Sequence, residues 1–239
     1  MTAPSTVVLV HGAMHTPWVW EPLIEELNRA LPDVRTDAVQ LPSSAPHPGE
    51  CAGMVEDAAV VRDAIAAAPG PVAVVAHSYG GLPASWAAAL APDDVTDLIY
   101  VAAFALEKGS SMMGWMGGSF PSGWIESADG LAVRVDDPAS SIYSGVDPDL
   151  TAAAVARLNW QGIRSFTDVI GVQPSDALRR TYVVASEDPA LPPAVQREWA
   201  LRMDASIEVA SGHSPHLSHP TEVAELIRSA IDTRDLSAS

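Results

Sequence analysis

The sequence is poor in cysteine and in basic side chains. Cys51 is the one cysteine among 239 residues, so no internal disulfide can form, and this suits a reducing cytoplasm. Only 13 lysines and arginines stand against 30 aspartates and glutamates, which gives a formal charge of −17. Such a surface repels nucleic acid and anionic membranes. The composition therefore predicts a neutral or apolar small molecule as the partner.

Long hydrophobic runs are also missing, although 48% of the residues are hydrophobic. No apolar run reaches the roughly 18 residues of a membrane span. The first residues, MTAPSTVVLVHGA, have no basic stretch before a short apolar run, unlike a signal peptide. We therefore expect a cytoplasmic protein that does not enter the membrane. The sequence leaves the oligomeric state open, with a homodimer as one alternative.

Strand-like and helix-like patterns alternate along the chain. Short β-branched runs are typical of buried parallel strands, and they predict strands at residues 6–12, 33–41, 70–77, 95–105, 178–186 and 205–212. Apolar residues at helical spacing predict helices at residues 20–31, 54–68, 82–91, 148–160, 194–203 and 220–232. This alternation predicts an α/β fold with a mostly parallel sheet and helices on both faces. The tail TRDLSAS is expected to fray.

Residues 107–177 interrupt the alternation. They begin with a Gly-, Met- and Trp-rich stretch, KGSSMMGWMGGSFPSGWIESADG. A structureless loop of this length is unusual in a compact domain, so we expect a cap that folds over the sheet rather than a mobile connection. The predicted organisation is one core, residues 1–106 and 178–239, with a cap insertion at 107–177.

A sharp corner follows the strand predicted at 70–77. The stretch AHSYGG, residues 76–81, leads from a strand into a helix, which is the setting of a nucleophile elbow. A strained turn there points the hydroxyl of Ser78 away from the sheet, and small residues on either side let the strand and the helix approach. Ala76 stands where the motif usually has Gly. The alternative role for Ser78 is a helix N-cap.

A serine nucleophile needs a base, because its hydroxyl reacts poorly at neutral pH. His213 follows Gly212 after the strand predicted at 205–212, at the end of the sheet where parallel folds bind ligands. We therefore take His213 as the base. His216 and His219 begin the last helix, where surface or capping roles are expected. The spacing of the three also resembles a metal site, but no Cys, His or carboxylate cluster accompanies it.

The base needs a carboxylate to orient it, and backbone amides must stabilise the negative oxygen of the intermediate. Glu187 and Asp188 both follow a predicted strand, and the residues alone do not decide between them. For the oxyanion hole, one amide is expected from Tyr79, directly after the nucleophile. The other is expected from Ala13, in the loop after the first strand.

The segments VLVHGAMHTPWVW, AHSYGG, YVVASEDPALP and SGHSPHLSHPTEVAELI resemble one known family. They are similar to the branch of the α/β-hydrolase superfamily that contains plant methyl esterases, hydroxynitrile lyases and small bacterial esterases. The likeness covers essentially the whole chain and is weakest across residues 107–177. It implies a triad in which Asp188 is preferred to Glu187, and the same two hole amides. It also implies that no cofactor or metal is needed. The implied triad is Ser78, Asp188 and His213.

Positions at which the sequence differs from these relatives reduce the number of possible reactions. Hydroxynitrile lyases of this branch carry Thr in place of Gly12 and Lys in place of Ser214, which disfavours lyase chemistry. A Ser nucleophile, not Asp, disfavours dehalogenase and epoxide hydrolase chemistry. We therefore expect a serine hydrolase that cleaves a carboxylic ester or lactone through an acyl-enzyme. The alternatives are C–C cleavage, cyclisation or lyase chemistry on a biosynthetic intermediate, and a non-catalytic binding protein, which the intact catalytic set disfavours.

Large apolar side chains of the cap are candidates for the substrate pocket. Aromatic-rich pockets suit alkyl or aryl esters, although each residue could instead pack the cap. The candidates are Met112, Met113, Trp115, Met116, Trp124, Tyr143 and Trp160.

Overall fold

A computed structural model describes residues 3–232 of the chain; the tail that was expected to fray lies outside them. Within these residues, none of the helices combines the length and the apolar character needed to cross a membrane. In chain order the elements are β1 (Thr6–Val10), α1 (Glu21–Ala30), β2 (Arg35–Val39), β3 (Ser44–Ala45), α2 (Met54–Ala67), β4 (Val72–His77), α3 (Gly81–Leu90), β5 (Val95–Val101), α4 (Met112–Trp115), β6 (Trp124–Glu126), β7 (Ala132–Val135), α5 (Pro148–Val155), β8 (Trp160–Gly162), α6 (Ile163–Thr167), β9 (Arg179–Ala185), α7 (Pro193–Ala200), β10 (Ala205–Val209), α8 (Pro215–Ser218) and α9 (Pro220–Asp232).

The main sheet of the described chain has six strands in the order β10-β9-β5-β4-β1-β2. Every neighbouring pair in it is parallel. All six therefore end at the same edge, and the loops that follow them meet there. The six strands predicted from the sequence are these six, each shortened by two to four residues. This edge carries the candidate site.

The core lies on both faces of this sheet, as the alternation of side chains along β1 illustrates. Val8 and Val10 belong to the cluster that also holds Met54 of α2 and Leu82 of α3. On the other face, Val7 and Leu9 pack with buried residues of α1 and α9, namely Leu23, Leu27, Val223 and Ile227. Each fully buried aliphatic side chain of this kind contributes about 1.5–3 kcal/mol to stability. Two buried faces explain why the inner strands β1 and β4 are almost continuously apolar.

A second, antiparallel sheet lies in the segment predicted to be a cap. Its described strands run in the order β3-β8-β7-β6. Three of them fall within residues 107–177, but β3 comes from the segment predicted to be core. Residues 107–177 are thus not a structureless connection, whereas their division from the core as a separate unit stays a prediction.

The helix predicted at 148–160 is wrong at its C-terminal end. Helix α5 ends at Val155, and Trp160 begins a strand. The helical spacing of apolar residues continues past this point, but tertiary contacts override it. The amide of Asn159 donates to the carbonyl of Met14 at 2.8 Å, and Trp160 pairs with Ala45. Backbone pairing with distant segments cannot be read from local periodicity.

Candidate active site

Ser78 lies in the turn between β4 and α3. Its φ is 51°, a left-handed conformation that costs free energy for a residue other than glycine. The turn is tightly packed, because a Cβ on Gly80 would lie 2.5 Å from the carbonyl oxygen of His11. Gly80 is itself the N-cap of α3, so Ser78 does not fill the alternative capping role. Strain and close approach are the properties expected of a nucleophile elbow.

The structure brings Ser78, His213 and Asp188 into one hydrogen-bonded line. Nε2 of His213 lies 2.9 Å from Oγ of Ser78, and Nδ1 of His213 lies 2.7 Å from Oδ2 of Asp188. A carboxylate only accepts, so Nδ1 carries a proton and Nε2 is left to accept the proton of the serine hydroxyl. Asp188 is buried, whereas Glu187 is exposed. Of the two adjacent acids, Asp188 is the one that contacts His213.

Gln196 of α7 holds the carboxylate of Asp188, and sequence reasoning missed it. Nε2 of Gln196 donates to Asp188 at 2.8 Å, and the amides of Ala190 and Leu191 donate to the other carboxylate oxygen at 2.8 and 2.9 Å. A signal was present, since Gln196 stands on the buried face of α7 three residues before the buried Trp199. A polar residue on an apolar helix face is a reason to look for a buried partner.

The loop after β1 approaches the nucleophile closely. A Cβ on Gly12 would lie 3.0 Å from the Cβ of Ser78, so a larger residue there would crowd the serine. Most polar backbone atoms of residues 12–15 have hydrogen-bond partners; the amide of Met14, for example, donates to Oε1 of Gln161 at 2.8 Å. The N–H of Ala13 has no partner in the described part of the chain. This N–H is thus a candidate donor to a bound ligand.

A cavity of about 410 Å³ opens beside Ser78 and His213. Ser78, His213 and Ala13 line it, and so do four of the seven candidate pocket residues, Met112, Trp115, Met116 and Trp124. The other residues around it are Met14, His15, Phe104, Pro121, Ser122, Gly123, Val135, Asp136, Asp137, Ser140, Ser141, Ile142, Pro189, Ala190 and Leu191. No Lys or Arg lines this cavity among the residues described. Its wall is mainly apolar; away from Ser78 and His213, its polar side chains are one histidine, three serines and two exposed aspartates.

Met113, Tyr143 and Trp160 do not line this cavity, contrary to expectation. On the short helix α4, a period of 3.6 residues turns Met113 away from the face shared by its neighbours Met112 and Trp115. Tyr143 is buried behind His15, and its hydroxyl lies 3.0 Å from Nε2 of that histidine. Trp160, on β8, has the guanidinium of Arg134 4.8 Å from its ring.

His216 is fully buried, which contradicts the surface or capping role expected for it. Its ring lies 4.4 Å from that of His77 and 4.6 Å from that of Trp20. Burial holds the pKa of both histidines well below the usual value, so both are neutral. Nε2 of His77 donates to the backbone carbonyl of His213 at 2.8 Å, and this hydrogen bond helps to fix the backbone that carries His213. His219 is partly buried and bonds to its neighbour Ser218.

The histidines do not form a metal site. Across residues 3–232, no group of three His, Cys, Asp or Glu side chains is placed to hold a metal ion. His15 and His11 are also buried, and burial lowers their pKa values to about 3 and about 4. The rings of His15 and His216 pack against His77, which in turn packs against His213. These histidines therefore form part of the buried interior next to His213.

Comparisons with known proteins agree on the family of the chain. A family model described as "Alpha/beta hydrolase family" matches residues 7–226. Esterase PIR7B of Oryza sativa subsp. japonica is 25% identical over 92% of this chain and 93% of its own length. The pyrethroid hydrolase of Sphingobium wenxiniae is 25% identical over 95% of this chain and 87% of its own length.

Solved structures share the fold. A methylesterase from Arabidopsis superposes with a TM-score of 0.82 at 20% identity, covering 95% of this chain and 99% of that one. A strand-to-helix turn with a strained serine, a parallel sheet of six strands and a family model that spans most of the sequence point the same way. The chain belongs to the alpha/beta hydrolase family.

Proposed function

We propose that the protein is a serine hydrolase that cleaves a carboxylic ester or lactone of a small, neutral, apolar molecule. The observation that carries the proposal is the hydrogen-bonded line Ser78–His213–Asp188, which opens on a cavity with an apolar wall. The curated relatives named above include an esterase and a pyrethroid hydrolase, each similar over most of this chain. These names support ester hydrolysis as the reaction class.

In the first half of the reaction, Oγ of Ser78 attacks the carbonyl carbon while its proton passes to Nε2 of His213. The carbonyl π pair moves onto oxygen and then returns as the bond to the leaving alcohol breaks. His213 gives its proton to that alcohol, which leaves an acyl group on Ser78. In the second half, His213 takes a proton from water as the water oxygen attacks the acyl carbon. The bond between that carbon and Oγ of Ser78 then breaks, His213 returns the proton to Oγ, and the carboxylic acid leaves. Asp188 keeps the imidazole in the one useful tautomer throughout.

The negative oxygen of each tetrahedral intermediate is proposed to lie on the amides of Ala13 and Tyr79. Ala13 lines the cavity, and Tyr79 directly follows the nucleophile. Amides held in place before reaction need no reorganisation as charge develops, and removal of one such donor typically costs roughly 10²- to 10³-fold in kcat. No cofactor is needed for this chemistry.

The wall of the cavity indicates the class of substrate. Methionine, tryptophan and phenylalanine side chains suit an alkyl or aryl group. Asp136 and Asp137 are exposed at the cavity and would repel an anionic ester. We therefore propose that neutral esters are preferred, in agreement with the formal charge of −17. With its single cysteine, Cys51, the enzyme is proposed to work in the cytoplasm.

A substrate panel tests the reaction class. Neutral alkyl and aryl esters, lactones, cyanohydrins and esters that carry a free carboxylate are compared by kcat/KM. We expect turnover of neutral esters or lactones and poor turnover of the charged esters. Cleavage of cyanohydrins alone would replace hydrolysis by lyase chemistry. Absence of turnover together with absence of labelling by a fluorophosphonate would favour the non-catalytic alternative.

A further inference from the structure

A carboxylate lies buried directly behind the nucleophile turn. Asp57, on α2, accepts hydrogen bonds from the amide of Ser43 at 2.9 Å, from the hydroxyl of Ser43 at 2.5 Å and from the hydroxyl of Tyr79 at 2.6 Å. It is completely buried, and burial raises its pKa to about 6. No Lys or Arg in the described chain pairs with it. A buried charge without a cation costs stability, so packing alone does not account for an acid at this position.

A series of hydrogen bonds connects Asp57 to the loop after β1, which packs against Ser78 on the other side. Oγ of Ser43 donates to Asp57 and accepts from Nε2 of Gln161 at 2.7 Å. Oε1 of Gln161 accepts the amide of Met14 at 2.8 Å. All of these side chains are buried. We call Asp57, Ser43 and Gln161 the buried polar chain; it holds Tyr79 at one end and Met14 at the other.

At the Met14 end, the buried polar chain fixes one peptide plane. The carbonyl oxygen of Ala13 accepts from Nδ1 of His15 at 2.7 Å, while the N–H of Met14 donates to Gln161. Because both sides of this plane are held, it cannot rotate without breaking a buried hydrogen bond. Met14 keeps a φ of 67°, which is unfavourable for a residue other than glycine. The constraint extends directly to Ala13, whose N–H is one proposed hole donor.

At the Tyr79 end, the chain holds the residue that follows the nucleophile. The ring of Tyr79 is fully buried, packs 5.8 Å from the ring of Phe166 and donates its hydroxyl to Asp57. A ring anchored at its far end restricts the backbone that carries it. That backbone supplies the second proposed donor and adjoins the strained Ser78.

We propose that the buried polar chain positions both amides of the oxyanion hole. Gln161 acts on Ala13 through the Ala13–Met14 peptide, and Asp57 acts on Tyr79 through its ring. The inference rests on the proposed serine hydrolase function. Neither Asp57 nor Gln161 lines the cavity, so both are positioning residues and not catalytic ones.

The proposal predicts where the kinetic effect falls. Hole amides stabilise the transition state more than the substrate, because the oxygen becomes negative only in the transition state. Loosening them should therefore lower kcat and leave KM nearly unchanged. Displacing an amide donor of the hole should lower kcat less than removing it would, so we expect losses of about 10- to 100-fold in kcat.

Two variants test the two ends, and a third is their control. Gln161→Met removes both polar atoms of the amide and keeps the length of the side chain. Tyr79→Phe removes only the hydroxyl that reaches Asp57. Tyr100→Phe is the matched control, because Tyr100 is also a buried tyrosine, with its hydroxyl 2.7 Å from Oγ of Ser85, and it does not line the cavity.

Each protein is assayed for kcat and KM with p-nitrophenyl butyrate, for inhibition by an aryl trifluoromethyl ketone and for Tm. Oγ of Ser78 attacks the carbonyl carbon of the ketone, the carbonyl oxygen becomes negative, and the serine proton passes to His213. Because this adduct does not turn over, the affinity for the ketone reports on the oxyanion hole alone. In Gln161→Met and Tyr79→Phe, kcat and ketone affinity should fall by similar factors of about 10 to 100, with KM changed less than about threefold. Tyr100→Phe should lower Tm without changing either quantity.

The inference is overturned if both test variants lower Tm but keep the kcat and the ketone affinity of the wild type. It is also overturned if Tyr100→Phe loses kcat as they do. If Gln161→Met does not fold, Tyr79→Phe decides the question alone, since it removes a single oxygen. A wild-type protein that neither hydrolyses esters nor binds the ketone refutes the proposed function and the inference together. If the wild type hydrolyses esters and binds the ketone, but the two test variants behave like the wild type, the inference is refuted and the proposed function stands.

Discussion

Oγ of Ser78 lies 2.9 Å from Nε2 of His213, although 135 residues separate the two in the chain. The sheet explains the meeting. Ser78 directly follows β4, and His213 lies four residues after the end of β10. Parallel strands end at one edge, so loops far apart in sequence converge there. The separation in sequence is therefore no obstacle to a shared site.

Replacement of Ser78 by Ala should abolish ester hydrolysis down to the level that the hole and substrate binding sustain. That residual rate is roughly 10³- to 10⁴-fold above the reaction in water. The physical reason is that no other group can form the acyl intermediate. Turnover of a p-nitrophenyl ester and labelling by a fluorophosphonate are measured on the same preparation. Near-normal turnover in the variant would mean that the nucleophile is another residue.

Replacement of Asp188 by Asn should lower kcat strongly, by up to about 10⁴-fold. The carboxylate accepts from Nδ1 of His213 at 2.7 Å, and an amide that donates there would favour the wrong tautomer. Glu187→Gln is the matched control, because Glu187 is adjacent in sequence but exposed. It should change kcat little. A crippled Glu187 variant beside an active Asp188 variant would reverse the assignment of the two acids.

Much of the site could be predicted because short motifs determine it. The turn around Ser78 is recognisable from its glycines, which allow two backbone segments to pack closely. A Cβ on Gly80 would lie only 2.5 Å from the carbonyl oxygen of His11. His213 is marked by its position after a strand. Such features are local, so one sequence suffices to read them. The six strands of the main sheet were predictable for the same reason.

What the sequence did not reveal depends on contacts between distant segments. Asp57 stands on the buried face of α2 with Met54 and Val61, where an acid looks out of place until Tyr79 and Ser43 are seen beside it. The strand at Trp160 likewise depends on pairing with residues 44–45. An acid within an apolar helix face was the available signal, but the sequence alone does not name its partners.

Acid should destabilise the fold through its buried histidines. Their pKa values are lowered in the folded state, to about 4 for His11, about 3 for His15 and well below 6.5 for His77 and His216. Below pH 6.5 the unfolded chain takes up protons that the folded chain refuses, so stability falls as pH falls. By pH 5, His11 and His15 should each cost about 2 kcal/mol. His77 and His216 should add to this loss. Asp57, whose pKa is raised to about 6, acts in the opposite direction and offsets about 1 kcal/mol.

Urea unfolding at pH 7.5 and pH 5 measures this loss. His216→Phe keeps a ring between Trp20 and His77 but removes one titrating group, so the loss between the two pH values should become smaller. His47→Gln is the control, because His47 is exposed. It should leave the loss unchanged. An equal loss in wild type and in His216→Phe would show that this buried ring does not drive acid unfolding.

Selectivity among esters should reside in the residues that line the cavity, because the triad and the hole touch only the carbonyl group that all esters share. Trp115→Ala and Trp124→Ala each remove a large cavity side chain, and each should change the ratio of kcat/KM between short and long or alkyl and aryl esters by about 10- to 200-fold. Trp160→Ala is the matched control, because that ring lies outside the cavity beside Arg134. It should cost stability and keep the ranking of substrates. Fluorophosphonate labelling of Ser78 should persist in all three. An unchanged ranking in both cavity variants would make these tryptophans packing residues and place the substrate elsewhere.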